Sequence, residues 1–252
     1  MLESTTVVRY VTPLREGGSL PGLVEAEDLG TYVVKFRGAG QGPKVLVAEV
    51  IVGELARRLG IDVPELKTIE LDEAIGRREP DPEVQALLVA STGTNLAIDF
   101  LPGSLGYDGT SFQPDAGVAA RILWLDAFTA NVDRSWRNPN LLVWHRRLWA
   151  IDHGAALYFH HAWTAPERFA AQPFAVGDHI LRRYVGGIGR ADADLAPRIT
   201  KELLSDVLSL VPDVWLEPDT AHPTPAAARA AYLEFLLARL SDRGHWLPER
   251  RA

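Results

Sequence analysis

The sequence of 252 residues contains no cysteine and only one methionine. The lack of thiols excludes disulfides, thiolate nucleophiles, zinc fingers and iron–sulfur ligation. No apolar run approaches the roughly 18 residues of a membrane span, and residues 1–15 lack the features of a signal peptide. We therefore expect a soluble, cytoplasmic protein with no membrane partner.

An excess of positive charge is also missing. The chain has 26 lysines and arginines against 33 aspartates and glutamates, which gives a formal net charge of −7. Broad nucleic-acid binding needs a dense cationic surface, so we predict no direct nucleic-acid partner. The remaining composition, 47% hydrophobic and 23% charged, is that of an ordinary globular protein with a sizeable core.

Two regions of different character follow one another along the chain. Up to residue 101, β-branched and apolar runs predict strands at 5–11, 31–36, 66–71 and 95–101, and a strand or strand with a turn at 84–92. One helix is predicted between Pro43 and about residue 59. After Pro102 the pattern favours helices, at 116–130, 178–185, 196–210 and 225–240, with a tight hairpin over 141–151. We predict an α+β fold with an N-terminal lobe, 1–101, and a C-terminal lobe, 102–252.

Glu49 is the first candidate for chemistry. On the predicted helix its neighbours three and four residues away are Val45, Val52 and Gly53, so the carboxylate lies on an apolar face. A buried carboxylate must find a cation or take up a proton. A nearby surface arginine is one possible partner. The other is Lys35 at the end of a predicted strand, and this pairing would hold the ammonium group towards a phosphate.

Three further polar residues lie in the second region. Asp133 and Asn138 are five positions apart, and Asp152 follows fourteen positions later, after the predicted hairpin. Phosphoryl transfer from a nucleotide needs a carboxylate that takes the acceptor proton, hard oxygen ligands for Mg²⁺, and a lysine fixed by a glutamate. Each residue alone is more simply a turn or cap residue, but their combination and order favour phosphoryl transfer.

These motifs resemble those of the HipA-like serine/threonine kinases, within the protein-kinase-like superfamily. The resemblance covers about residues 15–160. It includes the helix and its exit at 48–65, the Asp133-Arg134…Asn138 segment, and Ile151-Asp152-His153-Gly154; the last two are also similar to motifs of phosphoinositide kinases. Asn131 replaces the histidine of the protein-kinase His-Arg-Asp motif, and His153 replaces the phenylalanine of Asp-Phe-Gly.

The resemblance implies a two-lobed protein-kinase-like fold that binds ATP and Mg²⁺ between its lobes. It implies that Lys35 contacts the phosphates, Glu49 anchors Lys35, Asp133 is the catalytic aspartate, and Asn138 and Asp152 bind Mg²⁺. The γ-phosphoryl group would pass to a hydroxyl, in our main hypothesis that of serine or threonine on a protein. A small-molecule phosphotransferase and a catalytically silent nucleotide-binding module are the alternatives.

Two glycine clusters are candidates for the loop that holds phosphate. Gly17, Gly18 and Ser19 lie between two predicted strands, and by the resemblance Ser19 can be autophosphorylated; an ordinary hairpin turn explains the cluster equally well. The second cluster, residues 38–42, joins a strand to a helix. It lacks the G-x-G-x-x-G spacing, so we reject a dinucleotide-binding fold.

The stretch before Pro102 is the candidate hinge between the lobes. Asp99, Phe100 and Leu101 would offer backbone N–H and C=O groups to the edge of an adenine. A plain buried strand is the alternative interpretation.

Overall fold

A computed structural model describes residues 1–15, 20–40, 42–163 and 165–248. Gly17, Gly18 and Ser19, the predicted phosphate loop, lie outside these ranges. The prediction of an α+β fold is confirmed. The strands are β1 (Ser4–Pro13), β2 (Gly22–Ala26), β3 (Thr31–Lys35), β4 (Leu66–Leu71), β5 (Gly93–Asp99), β6 (Leu105–Gly106), β7 (Leu141–Trp144) and β8 (Arg147–Ala150). The helices are α1 (Pro43–Arg58), α2 (Glu73–Gly76), α3 (Pro82–Ala90), α4 (Ala116–Thr129), α5 (Pro166–Ala170), α6 (Ile188–Leu195), α7 (Lys201–Leu208), α8 (Pro225–Ser241) and α9 (Arg243–Trp246).

The first five strands form a closed barrel in the order β1-β2-β3-β5-β4. The barrel closes where β4 runs parallel to β1, with Ser4 opposite Thr68, and its other strand pairs are antiparallel. A barrel of this size is filled by its own side chains. The buried residues of this core are Val7, Val24, Ala26, Tyr32, Val34, Phe36, Ile69, Leu71, Val84, Leu88 and Ala97.

The strand predicted at 84–92 is wrong, because this segment belongs to helix α3. The Asp81 side chain accepts hydrogen bonds from the N–H groups of Glu83 and Val84, at 3.0 and 3.4 Å, and Pro82 occupies the first turn. Val84 and Leu88, four residues apart, are buried against the barrel. A short apolar run does not distinguish a helix from a strand, whereas the aspartate and proline before it are a helix-start signal.

Helix α1 is buried on all sides. Every residue from Leu46 to Ala56 is buried, including Glu49 and Glu54. The helix shares one large apolar core with β4, β5 and the helices that follow residue 102. The Trp215 indole N–H donates to the Thr94 carbonyl at 3.0 Å and so joins the C-terminal region to the barrel.

The second half of the chain combines helices with a three-stranded sheet, β6-β7-β8. Helix α4 begins at the predicted cap, Asp115, which accepts from the N–H groups of Gly117 and Val118. The predicted hairpin is present; its two turn residues, His145 and Arg146, have φ values of 46° and 61°. The helix predicted at 178–185 is instead a 3₁₀ turn at Arg182–Gly187, and the one at 196–210 shortens to α7. Within the described ranges, no helix is both long enough and apolar enough to cross a membrane.

An aromatic cluster packs the segment after β8 against α8. Phe159 stacks on Phe235 with ring centroids 4.2 Å apart, and Nδ1 of the fully buried His160 lies 2.8 Å from the Tyr232 hydroxyl. Lys44, in the first turn of α1, donates to the His160 carbonyl at 2.5 Å. The same segment therefore contacts α1 on one side and α8 on the other.

The burial of His160 predicts a dependence of stability on pH. Burial, with smaller contributions from His161 and Lys44, lowers the pKa of His160 from 6.5 to about 3. The native state therefore resists protonation, and stability present above pH 6.5 is lost as the pH falls towards 3. When the pH is lowered from 7 to 5, the free energy of unfolding should fall by about 2 kcal/mol because of this histidine. Denaturant titrations should show that the free energy of unfolding depends less on pH in His160→Gln than in wild type. The exposed His245→Gln is the control and should behave as wild type does. Equal pH dependence in His160→Gln and wild type would contradict this prediction.

Gly154 predicts a second stability effect, because its backbone lies directly against α1. A Cβ atom there would overlap the Val45 side chain and lie 3.1 Å from Oε1 of Glu49. We expect Gly154→Ala to lower the unfolding free energy by about 1–3 kcal/mol, as overpacked sites do. Gly189→Ala in α6 is the control, because nothing lies within 4 Å of the added atom. There we expect a gain of up to about 1 kcal/mol. If Gly154→Ala melts at the wild-type temperature, α1 moves to accommodate the added methyl group and the prediction is wrong.

Candidate active site

Three elements bring charged side chains together around Lys35. Lys35 ends β3, and its ammonium group donates to Oε1 of Glu49 on α1 and, at 2.6 Å, to Oδ1 of Asp152 after β8. Lys35 and Glu49 are buried, whereas 42% of the Asp152 side chain is exposed. The structure therefore contains the predicted pair of Lys35 and Glu49, and it adds Asp152 to that pair.

Each charged group in this cluster shifts the pKa of the others. Burial works against the ammonium charge, but the attraction of Glu49 and Asp152 raises the pKa of Lys35 above its ordinary value. Burial likewise opposes the Asp152 carboxylate, and Lys35 lowers its pKa. Burial, opposed by Lys35, raises the pKa of Glu49. With all three ionised, the cluster has one positive and two negative charges, and the half-buried Asp152 is the member that reaches solvent.

The loop at residues 131–140 has a fixed internal geometry. The Asp133 N–H donates to Oδ1 of Asn131 at 3.1 Å, and Oδ2 of Asp133 accepts from the Asn138 amide at 2.8 Å. Ser135 Oγ accepts from the N–H groups of Arg137 and Asn138, at 3.3 and 3.2 Å. The turn between Asp133 and Asn138 therefore folds back on itself and brings the two predicted site residues into direct contact.

The backbone connects this loop to Asp152. The Ile151 N–H donates to the Asn140 carbonyl at 3.1 Å, just beyond the β7–β8 ladder. Asn138 lies two residues before one partner of this bond, and Asp152 lies one residue after the other. Asp152 has a φ of 54°, in the left-handed region that non-glycine residues seldom adopt. A backbone hydrogen bond thus joins the loop of Asp133 and Asn138 to the segment that carries Asp152.

The candidate hinge offers fewer free backbone groups than its sequence suggests. The Asp99 N–H donates to the Glu65 carbonyl at 2.9 Å, and the Phe100 N–H donates to the Thr31 carbonyl at 3.1 Å. The Leu101 N–H has no hydrogen-bond partner among residues 1–15, 20–40, 42–163 and 165–248. Leu101 is consequently the free donor of this stretch.

Sequence reasoning missed three buried polar residues behind the loop. Oδ2 of Asp126, on α4, accepts from Arg134 Nε at 2.6 Å and from His179 Nε2 at 3.0 Å. Burial opposes this charge, but the Arg134 guanidinium and the His179 hydrogen bond lower the pKa of Asp126 to about 2. Asp126 interrupts an apolar stretch of its helix, as Glu49 does, and the same argument could have found it. Its partners, eight and 53 positions away, are not visible in any sequence pattern.

Two solved structures share this fold. The Helicobacter pylori proinflammatory kinase CtkA aligns with a TM-score of 0.58 and 10% identity, over 98% of this chain and 95% of CtkA. The Golgi casein kinase aligns with a TM-score of 0.50 and 11% identity, over 96% of this chain and 75% of that kinase. At these identities the likeness concerns the fold. The comparison with curated protein sequences found no match.

Nearly the whole sequence also matches one protein family. The HipA-like kinase family matches residues 7–248, a range that contains Lys35, Glu49, Asp133, Asn138 and Asp152. Together with the kinase folds above, this match supports a phosphotransferase. The chain belongs to the HipA-like kinase family.

Proposed function

We propose that this chain is a cytoplasmic, ATP- and Mg²⁺-dependent kinase that phosphorylates serine or threonine hydroxyls of a protein. The contact of Lys35 with both Glu49 and Asp152 is the observation that carries the proposal. It joins the phosphate-binding and metal-binding parts of the predicted machinery in one cluster. The proposed lobes are residues 1–101 and 102–252, with the nucleotide between them.

The nucleotide would lie along β3 and β5. Lys35 would bind its phosphates while Glu49 fixes the ammonium group, and Gly17, Gly18 and Ser19 stay the proposed phosphate loop. Leu96 is opposite Lys35 in the sheet, and Asp99 follows three residues later, about 10 Å along the strand. The proposed adenine segment, Asp99, Phe100 and Leu101, thus begins at a suitable distance, and its free donor is the Leu101 N–H.

Asp152 and Asn138 would hold Mg²⁺. Carboxylate and amide oxygens are hard ligands of the kind that this ion prefers. The Lys35 cluster has an excess of negative charge, and much of Asp152 is open to solvent. When bound, Mg²⁺ would neutralise charge on the phosphates.

Asp133 would be the catalytic base. Its Oδ2 accepts from Asn138, which leaves the other carboxylate oxygen for the acceptor hydroxyl. In the proposed step the acceptor oxygen forms a bond to the γ-phosphorus, and the bond from that phosphorus to the β–γ bridging oxygen breaks. The hydroxyl proton passes to Asp133, and ADP leaves with the bridging oxygen.

The surface around Asp133 favours a protein acceptor over a small molecule. Val132 and Trp136 are 68% and 56% exposed, on either side of the proposed base. Arg137 stacks on the Trp136 ring at 4.0 Å, and tryptophan and arginine are frequent anchors in protein interfaces. A cavity of about 390 Å³ adjoins the loop and is lined by Val132, Ser135, Phe174 and Ala175 among others.

Substitution of the two aspartates should separate chemistry from binding. Asp133→Asn removes the proton acceptor, so phosphoryl transfer should fall about 10²–10⁴-fold while Mg²⁺·ATP still raises the melting temperature. Asp152→Asn should abolish both the transfer and the Mg²⁺-dependent thermal shift. Asp206→Asn, at an exposed site on α7, is the control. Full activity of Asp133→Asn would exclude this base, and an undiminished shift in Asp152→Asn would exclude this metal ligand.

The class of the acceptor can be determined by incubating the chain with γ-labelled ATP, Mg²⁺ and a cell extract, and then measuring label in the protein and metabolite fractions. We expect label in the protein fraction, and Trp136→Ala should raise the extract concentration needed for half-maximal labelling about 5–10-fold. Val214→Ala, which removes an exposed apolar side chain elsewhere, should not. Label in metabolites would favour a small-molecule phosphotransferase, and no label in either fraction would favour a silent nucleotide-binding module.

A further inference from the structure

Arg134, the neighbour of the proposed base, is a buried side chain that contacts two other segments and the end of its own loop. Its Nε donates to Asp126 of α4 at 2.6 Å. Its Nη1 donates to the Asn140 carbonyl and, at 3.1 Å, to the Ile151 carbonyl. Its Nη2 lies 3.3 Å from Nδ1 of His153. Because a guanidinium is planar, these contacts fix the three segments relative to one another.

Asp126 in turn organises the start of the loop. Its Oδ1 accepts from the Asn131 amide at 3.0 Å, and Asn131 Oδ1 accepts from the Asp133 N–H. Its Oδ2 accepts from Arg134 and from His179, whose Nδ1 accepts from the Leu181 N–H. His179 therefore carries its ring proton on Nε2. One carboxylate thus binds the side chains of Asn131 and Arg134, which precede and follow Asp133 in the sequence.

His153 belongs to the same arrangement. A guanidinium can only donate, so Nδ1 of His153 accepts and its proton is on Nε2. The ring is buried, and its Cδ2 lies 4.0 Å from where a Gly53 Cβ would be, at the surface of α1. Phenylalanine, which protein kinases usually have at this position, could not accept the bond from Arg134. The histidine therefore joins the Asp152 segment to the loop through Arg134, and its ring lies beside Gly53 of α1.

A buried ion pair of this kind contributes little net stability to a fold. Replacing such a pair by apolar residues is often neutral or stabilising, whereas removing one partner is strongly destabilising. Asp126 and Arg134 are both about 1% exposed or less, so this argument applies fully to them. What the pair does provide is fixed geometry at the carbonyl of Ile151, the residue before Asp152.

We propose that Asp126 and Arg134 are positioning residues that set the spacing between the base Asp133 and the metal ligand Asp152. This inference rests on the proposed function, and it adds two residues that would act through the loop and the Ile151 carbonyl, with no contact to Lys35 or Glu49. Misplacement of a reacting group by about 1 Å can cost roughly 10²-fold in rate. The pair should therefore act on the rate of transfer, with little effect on nucleotide affinity.

The test compares single and double variants, with every rate expressed per folded molecule. Asp126→Asn leaves the Arg134 charge buried without its counter-ion and should melt well below wild type. Asp126→Leu combined with Arg134→Met removes both charges but leaves the Asn131 and His179 donors without their acceptor. It should recover part of the melting temperature lost in Asp126→Asn, while kcat stays at least 10-fold low and the KM for ATP changes less than threefold. Arg134→Lys keeps the charge but not the planar fork, and it should show the same loss in kcat.

Arg239 supplies a matched control. It is also about 1% exposed; its hydrogen bonds go to the backbone carbonyls of Ala127, Phe128, Phe169 and Gln172, and its guanidinium lies over the Phe169 and Trp246 rings. Arg239→Lys should lower the melting temperature and leave kcat per folded molecule unchanged.

Each contrary result has a distinct meaning. If kcat returns with the melting temperature in the double variant, or stays at the wild-type value in Arg134→Lys, the pair is structural and the proposal is overturned. If the double variant unfolds as Asp126→Asn does, the pair is required by the fold, which also overturns it. A wild-type chain with neither transfer nor Mg²⁺-dependent ATP binding would instead overturn the proposed function, and the positioning role would fall with it.

Discussion

The buried ammonium group of Lys35 is the constraint on which the arrangement of this molecule depends. It ends a barrel strand, and its two counter-ions come from α1 and from the segment after β8. An ammonium group that is removed from water must keep its partners, because an unpaired buried charge costs several kcal/mol, roughly 3–5. The barrel, α1 and the Asp152 segment are therefore held in one relation by charge as well as by apolar contact.

Stability itself comes from a different source. Two apolar cores, one inside the barrel and one around α1, contain nearly all of the buried aliphatic and aromatic side chains. Glu49 and Asp126 are carboxylates within apolar stretches of α1 and α4, where apolar residues would pack at lower cost. At these two places the desolvation of a carboxylate destabilises the fold, and the carboxylate holds other polar groups in position. Glu49 lies beside the Asp152 segment, and Asp126 lies beside the loop that contains Asp133.

Backbone strain is concentrated in the same region. Within the described parts of the chain, seven of the nine non-glycine residues with positive φ lie between positions 130 and 163. They include Asn140, whose carbonyl binds Arg134, and Asp152 itself. Such conformations cost about 1–3 kcal/mol each and persist where surrounding contacts fix them, as the Arg134 and Lys35 contacts do here. Strain and buried charge thus occur together, as they do at functional sites.

The amino-acid sequence alone predicts the α+β class, most of the strands and helices α1, α4 and α8, and it offers Lys35, Glu49, Asp133, Asn138 and Asp152 as site candidates. It could do so because these features are local: β-branched runs, caps such as Asp115, and an acidic residue on an apolar helix face. That Asp152 shares Lys35 with Glu49, over a separation of 117 positions, is visible only in the folded chain. The same holds for the position of Asp126 and Arg134 behind the loop, and for the Leu101 N–H, which has no partner in the described parts of the chain. A contact between distant segments depends on how packed elements meet, and no local pattern of residues encodes that. The error at α3 has the opposite cause, because there a local signal, Asp81-Pro82, was present and the apolar run after it was given too much weight.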